Sequence, residues 1–359
     1  MSILITLISD QSIPNLLFIR SWPEFERYIF ITTEQMERKG RCDDLIRVAK
    51  LPDAKVQKIK VLPESLNDVQ ARLEALQLPQ SHRYIVHLTG GNKIMALGAY
   101  QFFLTRNSEM YYAPIGVNGY EKVFPRTDEQ LVPFRESVSL LDYRQIYDVQ
   151  VESCQSDISR PAALAEQYFH RSWPLQPLFK TLISNKANFE DQNSKPLPSL
   201  PIRQVPGLLS WLNDIGFQAS PDGVLRPDEL QWLTGGWFEE FVFHTLKSQL
   251  KLPTQAIGLN VKVRQKGSPN EFDIMFIHNN DLYVIECKSR LTKVMFDQTA
   301  YKLAAIKKDL GLQAKSYLFS SENYHNKDTK QIHEFARLRA KHLNIQIRGR
   351  KQILNNQLL

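Results

Sequence analysis

The sequence predicts an α/β protein built from two main units, and three observations carry that expectation. Residues 1–145 alternate strand-like and helix-like segments. Residues 231–359 repeat the mixture in the order helix, strand, hairpin, helix, strand. A Pro-rich stretch, KPLPSLPIRQVP over 195–206, lies between them. Alternation of the first kind argues for a largely parallel sheet with helices on both faces, Rossmann-like in the broad sense. At 359 residues the chain can supply two domains, or three, with a core in each.

In the first unit, apolar runs predict strands over 3–8, 28–32, 84–88 and 110–114. Ser65 with Asp68 marks the start of a helix over 66–77, and a second helix is expected over 94–104. In the middle region, 146–230, helices are expected over 162–172 and 175–183, and 195–206 reads as an extended connector. A small helix-and-hairpin unit follows, with a helix over 208–215 and a turn at Ser220-Pro221-Asp222-Gly223. In the last unit a helix is expected over 237–250, a strand over 256–264, a hairpin over 270–288, a helix over 296–310 closed by Gly311, and a strand over 315–320. The domain boundaries implied are 1–145, 146–230 and 231–359.

Composition excludes several classes. No segment has the run of roughly 18 apolar residues that a membrane span requires. The N-terminal MSILITLISDQSIP lacks a basic start and is interrupted by Asp10, so it reads as a first strand, and the cytoplasm is the expected location. Cys42, Cys154 and Cys287 are scattered, without disulfide or zinc spacing. The net charge of +7 is unevenly placed: residues 231–359 hold 20 basic and 11 acidic side chains, whereas residues 1–150 hold 18 of each. Positive charge gathered in one unit suits a phosphodiester substrate, although a basic tail can also serve solubility alone.

The most informative stretch is NEFDIMFIHNNDLYVIECKSR over 270–290. Two apolar runs flank Asn279-Asn280, and Asn tolerates the positive φ that a two-residue hairpin turn requires. That turn pairs residues whose numbers sum to 559, which sets Asp273 opposite Glu286 and Glu271 opposite Lys288. Alternation then puts Asp273, Glu286 and Lys288 on one face and Cys287 on the other. Facing carboxylates repel unless a proton or a cation lies between them, so the pattern points to a Mg²⁺ or Mn²⁺ site with a lysine beside it. Upstream, Glu239 and Glu240 open the helix over 237–250. Both suit the positive end of the helix dipole, and by helical spacing Glu240 lies nearer the Trp237/Phe241 stripe.

A second candidate site lies in the first unit. His87-Leu88-Thr89-Gly90-Gly91-Asn92-Lys93 follows a strand and opens a helix. Two glycines and a helix N-terminus suit an anion, with Thr89, Asn92 and Lys93 as donors. The loop Ser9-Asp10-Gln11-Ser12 and the loop after Thr32 end at the same sheet edge, which describes a pocket for a polar, phosphate-bearing ligand. There is no GxGxxG motif, so a dinucleotide is not expected.

Taken together, SDQSIPN, TGGNKIM, GGWFEE, NEFD and ECK, in that order along nearly the whole chain, resemble the CARF-domain PD-(D/E)xK nucleases, ancillary effectors of type III CRISPR immunity. The resemblance implies an N-terminal CARF domain binding a cyclic oligoadenylate, most often the tetra-adenylate, across a homodimer axis. It also implies a C-terminal restriction-endonuclease-like core cleaving DNA, RNA or both with a divalent metal. Carried over by motif, Ser9, Gln11, Thr32, Thr89, Gly90, Gly91, Asn92 and Lys93 would meet the ring. Glu239, Asp273, Glu286 and the carbonyl of Cys287 would meet the metal, with Lys288 as the catalytic lysine. The family pattern thus prefers Glu239 to Glu240. Asn92 stands where the family more often has Thr. Two other readings compete: a ligand-gated nucleic-acid-binding regulator without cleavage, and a stand-alone repair or restriction-type nuclease whose N-terminal unit only dimerises.

Overall fold

A computed structural model describes residues 2–126, 131–171, 199–265, 268–289, 291, 293–307, 314–322 and 334–359. The helix expected over 175–183, Gly311 and part of the 195–206 connector lie outside these residues. The first sheet joins strands β1 (Ser2–Leu7), β2 (Arg27–Thr32), β3 (Val56–Lys60), β4 (Arg83–His87), β5 (Ser108–Tyr112), β6 (Gly119–Phe124) and β7 (Val132–Pro133) in the order β3-β2-β1-β4-β5-β6-β7. Pairing is parallel from β3 through β5 and antiparallel beyond. The strands expected over 3–8, 28–32, 84–88 and 110–114 match β1, β2, β4 and β5 within two residues. Because β1 pairs with both β2 and β4, the chain reverses its lateral direction there. The carboxyl ends of these strands border a crevice, the usual ligand position in such sheets.

The second sheet has the order β15-β14-β13-β12-β11-β8, built from β8 (Gln150–Gln155), β11 (Ile257–Gln265), β12 (Ser268–His278), β13 (Asp281–Lys288), β14 (Lys315–Ser320) and β15 (Ile345–Arg348). A separate two-stranded ribbon pairs β9 (Leu200–Pro201) with β10 (Val224–Leu225). The helix Leu208–Asp214 lies between its strands, which makes the small helix-and-hairpin unit that the sequence suggests.

Both faces of the second sheet are covered, as its continuously apolar strands require. Ile274, Phe276, Ile285 and Cys287 join the layer containing the helix Trp237–Gln249, whereas Met275, Ile277, Leu282 and Val284 join the layer containing the helix Lys293–Lys307. The latter core is continuous with Phe18, Tyr111 and Tyr120 of the first unit through the helix Leu140–Ile146. Arg20 clamps that helix with two bonds to Asp142, at 3.0 and 2.7 Å. The hairpin turn docks on the first unit as well: the Asn280 Oδ1 accepts from Val138 N at 2.8 Å, and its Nδ2 donates to the Asn118 Oδ1 at 2.6 Å.

Candidate functional sites

The hairpin forms in the expected register. Pairs from His278–Asp281 to Ile274–Ile285 all obey the 559 sum, and Asn279 and Asn280 take φ of 51° and 64°. The ladder stops one pair short of Asp273. On the other side of β12, Leu259 pairs with Ile274 and Val261 with Phe272, while Asn260, between them, has φ of 50°. This irregularity breaks the alternation: Phe272 belongs to one core layer and Ile274 to the other. Asp273 is thereby free to turn its carboxylate to the end of β13, where Oδ2 accepts from Cys287 N at 2.6 Å in place of a ladder carbonyl.

Four charged groups meet at this open end. The Lys288 Nζ lies 3.5 Å from the Asp273 Oδ2 and 3.3 Å from the Glu286 Oε2. The Lys302 Nζ, from the helix Lys293–Lys307, reaches the other Glu286 oxygen at 2.5 Å and also donates to the Glu271 carbonyl. The Glu286 side chain is 3% exposed. The end of the strand is held by the Ser321 Oγ donating to the Ser289 carbonyl at 2.6 Å, and the Ser289 Oγ donates to the Thr234 carbonyl at 3.4 Å.

The two first-turn glutamates separate clearly. Glu240 is buried and committed to structure: it accepts from Trp232 Nε1 at 2.8 Å and from Arg160 Nη1 at 3.1 Å. Glu239 instead shares the field of the hairpin carboxylates. Burial first, and then Asp273, push its carboxyl up to about 8, with Lys288 opposing. The helix carrying both glutamates continues from a π-helical turn, Trp232–Gly236. It is braced by Tyr168, whose ring stacks on Trp237 at 4.0 Å and whose hydroxyl donates to the Leu233 carbonyl at 2.5 Å.

Glu286 is likewise raised by burial and by Asp273, with Lys302 and Lys288 working against the rise. For Lys288, burial works to lower the ammonium, but Asp273 and Glu286 outweigh it and the net shift is upward. The Cys287 thiol is buried in the opposite layer and pushed well up by that burial, so only the carbonyl of this residue could serve a cation. Among the described residues no three His, Cys, Asp or Glu side chains are gathered closely enough to hold a metal ion. The donor chemistry still fits a hard divalent cation: Asp273, Glu286 and Glu239 are oxygen donors, and burial first and then the charge of Asp273 drive Glu239 and Glu286 toward protonation. Lys302 is the residue that the sequence did not reveal, since nothing along the helix distinguishes it from the neighbouring lysines.

At the edge of the first sheet a cleft of about 710 Å³ is lined by Ser9, Gln11, Thr89, Gly91 and Asn92 among others. Thr32, Gly90 and Lys93 stand outside its wall. Thr32 is fully buried, and its neighbour Thr33 lines the cleft instead. Gly90 packs on β1, where a Cβ would come within 1.8 Å of the Leu7 carbonyl oxygen. Lys93 is exposed at the first turn of the helix Lys93–Phe103. Gly91 has φ of 69°, the conformation for which a glycine is needed. Asn92 caps the helix, accepting from Met95 N at 2.9 Å, and spends its amide hydrogens on the Pro63 carbonyl and Glu64. Its expected role as a ligand donor thus competes with these contacts. A smaller cavity of about 240 Å³, lined by Pro14, Val117, Asn118 and the hairpin turn, shares Pro14 and Ala113 with the wall of this cleft.

Residues 3–143 match the family model of the Card1 CARF domain, and residues 228–357 match that of the Card1-like endonuclease domain. The fold is similar to that of Can2 from Sulfobacillus thermosulfidooxidans in complex with cyclic tetra-adenylate, with a TM-score of 0.77 and 20% identity over 100% of this chain and 98% of that one. It is also similar to protein VC1899 from Vibrio cholerae, with a TM-score of 0.77 and 18% identity over 99% and 95% of the two chains. A type III CRISPR defence DNA nuclease activated by cyclic oligoadenylate gives a TM-score of 0.51 at 20% identity, over 89% of this chain and 45% of that one. No curated protein matches the sequence.

Proposed function

Since the chain belongs to the CARF-domain endonucleases, with a Card1-type CARF domain ahead of a Card1-like endonuclease domain, we propose that it is a metal-dependent nuclease of type III CRISPR defence, switched on by a cyclic oligoadenylate. The observation that carries this reading is the convergence of Asp273, Glu286 and Lys288, within the field of Glu239, at the open end of the hairpin. Asp273, Glu286, Glu239 and the Cys287 carbonyl would hold Mg²⁺ or Mn²⁺. A bound divalent ion would offset charge on the scissile phosphate and the leaving oxygen. Lys288, kept as an ammonium by Asp273 and Glu286, orients the attacking water and stabilises charge gathering on the phosphate oxygens. Lys302 holds the second Glu286 oxygen and leaves the first turned toward Lys288.

In the cleft of the CARF domain, Ser9, Gln11, Thr89, Gly91 and Asn92, with Lys93 beside it, would meet the activator, for which we favour cyclic tetra-adenylate. Such a ring has two-fold symmetry, so a homodimer would present each cleft twice across one axis. The substrate is DNA, RNA or both, bound mainly through the basic endonuclease part. Among the described residues no helix is long and apolar enough to cross a membrane, and we place the protein in the cytoplasm. The test is incubation of the full chain with supercoiled plasmid, single-stranded DNA and RNA, with Mn²⁺, in the presence or absence of each cyclic oligoadenylate. Cleavage that needs both metal and activator supports the reading. Binding without cleavage would favour the gated regulator, and activator-independent cleavage the stand-alone nuclease.

A further inference from the structure

Behind the cleft of the CARF domain lies a buried polar chain that no motif announces. His87 has no exposed surface, and its ring stacks on Phe18 at 4.2 Å. The His87 Nδ1 lies 3.3 Å from the Thr6 Oγ1, and the Nε2 lies 2.8 Å from the Thr89 Oγ1. Asn15, also buried, donates from Nδ2 to the Thr6 Oγ1 at 2.7 Å and to the Leu7 carbonyl at 2.8 Å. Ala113 N donates to the Thr89 Oγ1 at 2.7 Å. Burial lowers the His87 imidazolium to about 3, so the ring is neutral at physiological pH and carries one hydrogen.

Counting hydrogens fixes which nitrogen carries it. The Leu7 carbonyl only accepts, so the Asn15 atom facing it must be the amide nitrogen, and both its hydrogens are then used. Among the described residues the buried Asn15 Oδ1 has no partner, so this orientation is held by the two Nδ2 bonds. The Thr6 hydroxyl, having accepted from Asn15, has its own hydrogen to give, and the His87 Nδ1 is the atom within reach. The imidazole hydrogen therefore sits on Nε2 and is donated to Thr89. The Thr89 oxygen now accepts twice, from His87 and from Ala113 N, and its own hydrogen has no acceptor among the described residues. Thr89 lines the cleft. In the opposite tautomer, Thr6 would accept twice and keep a buried hydroxyl hydrogen with no acceptor, and Thr89 would have to donate back to His87.

We infer that His87 is a positioning residue for the activator site: through Nε2–H it sets the Thr89 hydroxyl as a one-way donor into the cleft, so the ligand atom seated there is an acceptor, a phosphate oxygen rather than an amino group. This rests on the activator reading of the cleft. It assigns to the Asn15–Thr6–His87 chain a role in specificity besides packing.

Two measurements on the full chain test it. Nitrogen-15 NMR of the ligand-free protein, with His87 assigned through its contact with Phe18, is expected to show a protonated Nε2 and a bare Nδ1, unchanged between about pH 5 and 8. Calorimetry with cyclic tetra-adenylate is expected to show Thr89→Ser close to the parent and Thr89→Val weaker by about 10- to 100-fold, the loss of one bond to a charged acceptor. Adding His87→Gln to Thr89→Val should cost nothing further, because His87 acts through the hydroxyl already removed. A hydrogen on Nδ1, a Thr89→Val protein that binds like the parent, or additive losses in the double variant would each overturn the inference. No binding by the parent chain would instead overturn the activator reading on which it rests.

Discussion

Replacing Lys302 by Met removes one charge from the nuclease end while leaving the motif residues in place. The Lys302 Nζ is 2.5 Å from the Glu286 Oε1, and the Glu286 side chain is 3% exposed whereas that of Lys302 is 36% exposed. Removing one partner of a fully buried pair typically costs about 3–5 kcal/mol. Water reaches Lys302, so screening cuts that to about 1–2 kcal/mol. The sign with pH follows from Glu286. Its folded carboxyl is raised above the unfolded value, so ionising it in the folded chain opposes stability as pH rises through the raised value. Lys302 offsets part of that loss. The Lys302→Met deficit should therefore be largest at pH 8 and shrink as acid protonates Glu286 in both proteins. Thermal melts of parent and variant should differ by roughly 2–8 °C at pH 8 and by less near pH 5. Cleavage by the variant should also need more alkaline solution than cleavage by the parent. Equal melting temperatures at pH 8, or a gap that widens toward acid, would refute the pairing argument.

Other consequences follow from the same geometry. Glu286→Ala or Lys288→Ala should lower cleavage about a thousandfold or more while calorimetry shows activator binding intact; a loss within about tenfold would move the active site elsewhere. Lys93→Ala, at the exposed first turn of the helix Lys93–Phe103, should weaken cyclic tetra-adenylate binding, and unchanged affinity would leave the glycine loop a mere turn. Asn280→Ala should destabilise the chain by about 1–3 kcal/mol in a melt, since Val138 N loses its acceptor; no change would mean that water replaces it. In the Glu286→Ala protein with activator present, affinity for DNA should fall roughly a hundredfold or more between about 50 and 200 mM salt, and a flat response would remove the endonuclease domain as the substrate site.

The hairpin was legible because its signals are local: alternation, an Asn-Asn turn and charges confined to one end set the register from Asp281 back to Ile274. The break at Asp273 was not, because it depends on the positive φ of Asn260 in the neighbouring strand. Glu239 and Glu240 share one helical turn, and spacing could not separate them. What separates them is tertiary, the Arg160 and Trp232 donors that occupy Glu240. The helix Ile13–Arg20 follows a polar loop and is apolar on nearly every face, so it lacks the periodicity that announces a surface helix. Part of the basic excess near the C-terminus also proves structural rather than solvated. Arg339 pairs with Asp297 at 2.7 Å, and Arg350 donates to the Phe169 carbonyl at 2.6 Å. His87 was visible only as the residue before a glycine motif, since its partners Thr6 and Asn15 come from the first strand and the first helix.

On the function proposed, one chain joins an activator cleft to a metal-dependent cleavage site. A matched set of plasmid-cleavage reactions tests it most directly: the parent and Glu286→Ala, each with and without cyclic tetra-adenylate, and each with Mn²⁺ or with a chelator. Cleavage is expected in one combination, the parent with activator and Mn²⁺. Equal cleavage without activator, cleavage in chelator, or cleavage by Glu286→Ala would contradict it.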